Sequence, residues 1–172
     1  MPCIKYKLSI LILLIMIIPT LSGYVSRVDR KTRTAEAIYY LNQMAKGARD
    51  YYINLLESQP NNLPYFPQSI GPSPWGAACQ GGVPHAFNPS DWSNEWSIGS
   101  WSDLNFYIDR PFYYRYSFES QGVGSAAIFT ARAEGDLNCD GINSIYEITG
   151  RIDENGQVHI SPIWTDIYNE FK

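Results

Sequence analysis

An acidic segment near the carboxyl end of the chain has the residue types and spacing of a calcium-binding loop. Asp136, Asn138 and Asp140 alternate, Gly141 follows at once, and Glu147 comes after five intervening residues. Calcium prefers oxygen ligands, and such side chains converge where a glycine lets the backbone turn sharply. The predicted calcium ligands are Asp136, Asn138, Asp140, Ile142 through its carbonyl, Ser144 directly or through water, and Glu147. The alternative is an acidic hairpin loop without an ion, because strands rather than helices are predicted on both sides.

The cysteines predict one disulfide bond. Cys3 precedes an apolar run, whereas Cys79 and Cys139 both lie in glycine-containing segments of the predicted globular part. In an exported domain such a pair is more often bridged than reduced. We therefore expect a Cys79–Cys139 disulfide.

Residues for catalysis or nucleic-acid binding are not evident in the sequence. The formal net charge is −4, so no basic field is available for nucleic acid. His85 and His159 stand outside any motif, and the chain has no nucleophile signature, zinc motif or phosphate-binding glycine loop. The sequence thus predicts a protein that is not an enzyme and has no catalytic residues.

An apolar run from Leu8 to Ile18 follows Lys5 and Lys7 and marks residues 1–23 as a targeting or anchor segment. Its length suits a cleavable signal of about 7–15 apolar residues better than a membrane span of about 20. Two interpretations are open: cleavage near Ser22, which releases a secreted domain, or retention as a bent anchor helix. The predicted anchor positions are Leu8, Ile12, Ile15, Ile18 and Pro19.

Residues 24–59 carry the pattern of an amphipathic helix. From Ile38 onward, apolar residues recur at alternating steps of three and four, which places them on one helix face. Breakers at Gln59-Pro60-Asn61-Asn62 end the helix. The residues expected to pack on the rest of the molecule are Ile38, Leu41, Ala45, Ala48, Tyr52 and Leu55.

Residues 60–172 are expected to form a globular head with a loop-rich half and a strand-rich half. The first half is dense in Pro, Gly and Trp, and its Trp75, Trp92, Trp96 and Trp101 either pin a long loop or present a surface for a glycan or protein. In the second half, alternating residues predict an antiparallel meander of about four strands. The expected fold class is α+β, with a long N-terminal helix packed on this sheet.

Several segments resemble those of type IV pilin-like proteins and pseudopilins. The shaft segments are Arg33-Thr34-Ala35-Glu36-Ala37 and Gly47-Ala48-Arg49-Asp50-Tyr51-Tyr52, and the head segments are Phe66 to Pro74, Trp101 to Phe106, Pro111 to Tyr114 and Phe129 to Gly141. The last of these is similar to the group with an Asp-rich loop near the C-terminus, found in predatory and gliding deltaproteobacteria. The Gly-(Phe/Met)-Thr-Leu-x-Glu motif of such pilins does not occur before Leu8 in this sequence.

The resemblance implies a pilin-like subunit of the bacterial cell envelope, with its head in the periplasm or outside the cell, or within a pilus. The implied partners are the membrane and other pilin-like subunits or secretion machinery. The alternative function is a secreted or anchored adhesion module that does not polymerise and binds a surface glycan or a protein.

Overall fold

A computed structural model describes residues 33–74, 76, 79–80, 83–84 and 86–166. The predicted targeting segment and all of its anchor positions lie outside the described residues. The chain divides into two compact units, Met1–Ala35 and Glu36–Lys172. Within the described ranges, no helix has the length and apolar content needed to cross a membrane.

The first described element is a helix, α1, over residues 33–58. It ends directly before the predicted breakers, and its buried face confirms four of the six predicted positions: Leu41, Ala45, Ala48 and Tyr52. Leu55 is half-buried, whereas Ile38 is 39% exposed and does not pack as predicted. The buried face also includes Ala37, Tyr40 and Met44, which lie to one side of the predicted line. Ile38 therefore lies at the border of this face.

An antiparallel sheet in the head packs against α1 and establishes the α+β class. Within the described ranges it has six strands rather than the predicted four: β1 (Ile70–Ser73), β4 (Arg115–Gln121), β5 (Ile128–Gly135), β6 (Ser144–Ile152), β7 (Val158–Ile160) and β8 (Trp164–Asp166). Their order is β1-β4-β5-β6-β7, with β8 beside β6. The central meander confirms the predicted alternation, and the two additional strands, β1 and β8, lie at the edges.

The loop-rich half contains short elements around an aromatic cluster. Trp101 and Phe106 are buried at its centre, with ring centroids 5.1 Å apart, and Trp96 packs edge-on against both. Aromatic pairs of this kind bury much apolar area and fix the geometry of a loop. The elements are the strand pair β2 (Cys79–Gln80) and β3 (Val83–Pro84), a 3-10 turn (Pro89–Asp91), α2 (Ser93–Trp96) and α3 (Gly99–Asp103).

Helix α1 is joined to the head by hydrogen bonds near both of its ends. Glu36 Oε1 accepts the backbone N–H of Tyr113 at 2.9 Å, that of Tyr114 at 3.4 Å and the Tyr116 hydroxyl at 3.2 Å. Near the other end, the Tyr52 hydroxyl donates to the Gly124 carbonyl at 3.2 Å. Burial, and then the charge of Glu36, hold the Tyr116 pKa well above its ordinary value, so this phenol stays a neutral donor.

Candidate functional site

The predicted calcium loop connects β5 to β6 and is closed by the side chain of Asp136. This carboxylate is nearly buried, and it accepts the backbone N–H of Asp140 at 3.2 Å and of Gly141 at 2.9 Å. The backbone passes through left-handed conformations at Cys139 (φ 60°) and Gly141 (φ 87°). Glycine has no Cβ to resist that conformation, which explains its place in the turn.

Asn138 and Asp140 complete a compact, oxygen-rich turn with Asp136. The Asn138 amide donates to Asp140 Oδ2 at 2.9 Å, and Asp140 Oδ1 accepts the backbone N–H of Ile142 at 2.9 Å. Each carboxylate oxygen has two lone pairs, so these groups keep acceptor capacity beyond the bonds they make. The structure therefore brings together three of the predicted ligands.

Glu147, the third predicted carboxylate ligand, is not brought into this turn. Glu147 lies on β6 opposite Arg132 of β5, and its Oε1 accepts from Arg132 Nε at 2.7 Å. Ser144 is fully buried at the start of β6, opposite Gly135. A strand rises about 3.3 Å per residue, so β6 carries Glu147 roughly 10 Å beyond Ser144, where a helix would have returned it toward the loop. Among the described residues no group of three or more His, Cys, Asp or Glu side chains is placed to hold a metal ion.

The predicted disulfide is present between Cys79 and Cys139, whose Cα atoms are 5.5 Å apart. It joins β2, in the loop-rich half, to the acidic loop between β5 and β6. The two cysteines are separated by 60 positions in the sequence, so the bond restrains a long segment of the unfolded chain. The acidic loop is thus fixed from outside as well as by Asp136.

Two of the four tryptophans, Trp96 and Trp101, are buried and do not belong to the exposed binding surface considered from the sequence. Trp96 and Trp101 are 4% and 0% exposed, and Trp92 is half-buried against the same core. Trp75 lies outside the described residues. For Trp96 and Trp101 the alternative interpretation, hydrophobic pinning of the loop, is confirmed.

The face of the sheet turned away from α1 carries a ladder of half-buried ion pairs that sequence reasoning missed. Arg115 on β4 pairs with Glu134 on β5 at 2.5 Å, and Arg132 on β5 pairs with Glu147 on β6. Two open cavities of about 420 and 310 Å³ lie on this face and share Ser69 and Glu119 in their walls. The alternation of charged residues along the strands indicates a polar face of the sheet. Which arginine pairs with which glutamate follows only from the pairing register of β4, β5 and β6.

Comparisons of this chain with protein-family models, with curated proteins and with solved structures give no match.

Proposed function

We propose that the chain is a non-catalytic subunit of the bacterial cell envelope that resembles a type IV pilin, minor pilin or pseudopilin. In this proposal the segment around Leu8–Ile18 anchors the protein in the inner membrane, and the disulfide-tied head faces the periplasm or the cell exterior. The observation that carries it is the arrangement of α1. A helix that follows an apolar N-terminal segment packs one face on an antiparallel sheet, as the resemblance implies for a pilin-like fold.

Exposed aliphatic residues on α1 support assembly with other subunits. Ile38 is 39% and Leu56 47% exposed, and both lie at the border of the buried face. They are 18 positions apart, which is five turns at about 3.6 residues per turn, so they lie on one line along the helix. Isolated exposed aliphatics are common, but an aligned pair on a helix next to an apolar anchor suits contact with a neighbouring helix.

Fractionation of a bacterial host that expresses the full chain tests the anchor. We expect the protein in the inner-membrane fraction with Leu8–Ile18 still present when the mature N-terminus is sequenced. Replacing Ile12 and Ile15 by lysine should release it, because charge in an apolar segment costs about 2.5–3.5 kcal/mol per residue. Cleavage near Ser22 would refute the anchor and favour the secreted binding module.

Cross-linking tests assembly separately. In a Cys3→Ser background, a maleimide cross-linker applied to membranes should join Leu56→Cys subunits. The matched control is Glu57→Cys, whose side chain is exposed but points about 100° away around the helix. Equal or absent cross-linking in the two variants would contradict assembly through this line of α1.

Calcium binding at the acidic loop remains part of the proposal, with Asp136, Asn138 and Asp140 as the ligands that the fold brings together. A divalent cation would relieve the repulsion between Asp136 and Asp140 and stabilise the folded head. The melting temperature should rise with calcium and fall with a chelator, and Asp140→Ala should lose this response. A wild-type melting curve that the chelator leaves unchanged would show that the loop holds no calcium.

A further inference from the structure

A groove lined by tyrosine and amide side chains lies between α1 and the segment after α3. It consists of two cavities of about 80 and 270 Å³ that share Gln43 and Asn105 in their walls. Together they fall at the low end of the roughly 300–1,000 Å³ typical of small-molecule sites. We call it the tyrosine groove and define it by Tyr39, Tyr40, Gln43, Asn105, Tyr107 and Arg110.

The fold holds both walls of this groove in place. Helix α3 ends in a Schellman motif, in which the N–H of Phe106 bonds the carbonyl of Trp101 and that of Asn105 bonds Ser102. Asn105 occupies the left-handed position of this motif, with φ 48°. Glycine would adopt this conformation at lower cost, so the backbone alone does not call for asparagine here. What asparagine adds is an amide side chain at the point where the two cavities join.

The close approach of the two walls depends on Gly47. A Cβ at this position would lie 1.8 Å from the backbone oxygen of Leu104, so only glycine lets α1 and the end of α3 come this near. Beyond Leu104, buried Phe106 and Ile108 alternate with exposed Asn105 and Tyr107. The groove is therefore preformed on a rigid support rather than made by a loose loop.

A sugar presents an apolar C–H face and a set of hydroxyl groups, and the aromatic and polar side chains of the groove match these two surfaces. Tyr107 and Tyr39 are 62% and 51% exposed, and large exposed rings offer apolar faces for the C–H side of a pyranose. Amide side chains such as Gln43 both donate and accept, as sugar hydroxyls do. The hydroxyl of Tyr40 is buried, and it has no hydrogen-bond partner among the described residues.

The charges of the groove favour a neutral ligand over an anionic one. Lys46 pairs with Asp50 at 2.8 Å, and Arg110 pairs with Asp109 at 3.2 Å. Each cation already faces a carboxylate, and Asp103 adds a further negative charge to the wall. A phosphate or carboxylate would meet no excess positive charge here.

We propose that the tyrosine groove binds a neutral oligosaccharide. Tyr39 and Tyr107 pack against sugar rings, while Gln43 and Asn105 hydrogen-bond the hydroxyls. Tyr40 lines the smaller cavity, and burial raises the pKa of its hydroxyl to about 12, so this part of the wall stays uncharged at physiological pH. All these residues lie within the compact unit Glu36–Lys172, so the proposal holds for an anchored or a secreted protein.

The test uses the full chain purified in a sugar-free detergent such as an amine oxide. It is applied to an array of short neutral oligosaccharides of glucose, galactose, mannose and N-acetylglucosamine, and the best binder is titrated by calorimetry. Tyr107→Ala removes an exposed ring, and Asn105→Gly removes the amide while keeping the left-handed turn. Each should weaken Kd at least about tenfold, or about 1.4 kcal/mol, without lowering the melting temperature.

Trp164→Ala is the matched control, because this ring is 54% exposed on β8 and does not line the groove. Its Kd should equal that of the wild type. The proposal is overturned if no neutral oligosaccharide binds or if Tyr107→Ala and Asn105→Gly leave Kd unchanged. It is also overturned if sulfated or sialylated glycans, or unstructured peptides, bind in preference to every neutral sugar.

Discussion

Glu36 offers the sharpest test of how the helix is held to the head. Its carboxylate accepts two well-formed hydrogen bonds, from the Tyr113 N–H at 2.9 Å and the Tyr116 hydroxyl at 3.2 Å, and a longer one from Tyr114 at 3.4 Å. A hydrogen bond to a charged group contributes about 1.5–3 kcal/mol. Glu36 and Tyr113 are half-buried, so in a variant water can replace the lost hydrogen bond to the Tyr113 N–H. Tyr116 is fully buried, so its hydroxyl would be left without a water partner.

We therefore expect Glu36→Ala to lower the free energy of unfolding by about 3 kcal/mol, or roughly 10 °C in melting temperature. Glu36→Gln keeps an acceptor oxygen and loses only the charge, so it should cost about 1 kcal/mol. The measurement is urea unfolding of the purified chain followed by circular dichroism, with the slope m compared between variants.

Glu57→Ala, at the exposed end of the same helix, is the control and should remain within about 0.5 kcal/mol of the wild type. A Glu36→Ala protein as stable as this control would refute the docking role. Equal losses for Glu36→Ala and Glu36→Gln would show that charge, rather than the acceptor oxygen, carries the effect.

Three further changes test other features of the head. Gly47→Ala should destabilise the protein by about 2–3 kcal/mol in thermal unfolding, because the new Cβ would strike the Leu104 carbonyl. In an open helix the same change stabilises by about 1 kcal/mol. A stabilised variant would therefore contradict the close approach of α1 to Leu104. Maleimide labelling of the native, non-reduced protein should find Cys79 and Cys139 unreactive, and reduction should cost about 4 kcal/mol; two reactive thiols would disprove the bond. The fold raises the Tyr40 pKa from 10.0 to about 12, so its contribution to stability is complete below about pH 10 and is lost as pH rises toward 12. Tyr40→Phe should flatten that alkaline decline in urea unfolding, and an unchanged pH profile would refute it.

The helix and the central strands were predictable because their periodicity is long and regular. Spacing located the inner line of α1 from Leu41 to Tyr52, but it could not show which border of the stripe is buried. That border depends on where the sheet lies, which is why Ile38 was assigned wrongly and Ala37 was missed. Strand β1 was missed because Gly71 and Pro72 are turn-forming residues in a run of only four.

The site was less predictable than the fold because its partners are distant in sequence. The calcium-loop template places Glu147 by counting residues, and that count assumes a helix after the loop. Here a strand follows, and Arg132 binds the carboxylate instead. Likewise the tryptophans of the loop-rich half signalled an aromatic surface, but a large apolar ring is buried wherever the fold provides a core, as Trp96 and Trp101 are, and the exposed rings of the groove are Tyr39 and Tyr107.

The geometry of α1 allows assembly and ligand binding to occur together. Ile38 and Leu56 lie on one line of the helix, whereas Gln43 is five residues from Ile38 and therefore about 140° around the axis. The buried stripe occupies the opposite side of the Ile38 line, because Leu41 is turned about 60° in the other direction. A neighbouring subunit that contacts Ile38 and Leu56 therefore covers the border of the helix and leaves the tyrosine groove open. The two proposals use separate surfaces of one helix, so each can fail without the other.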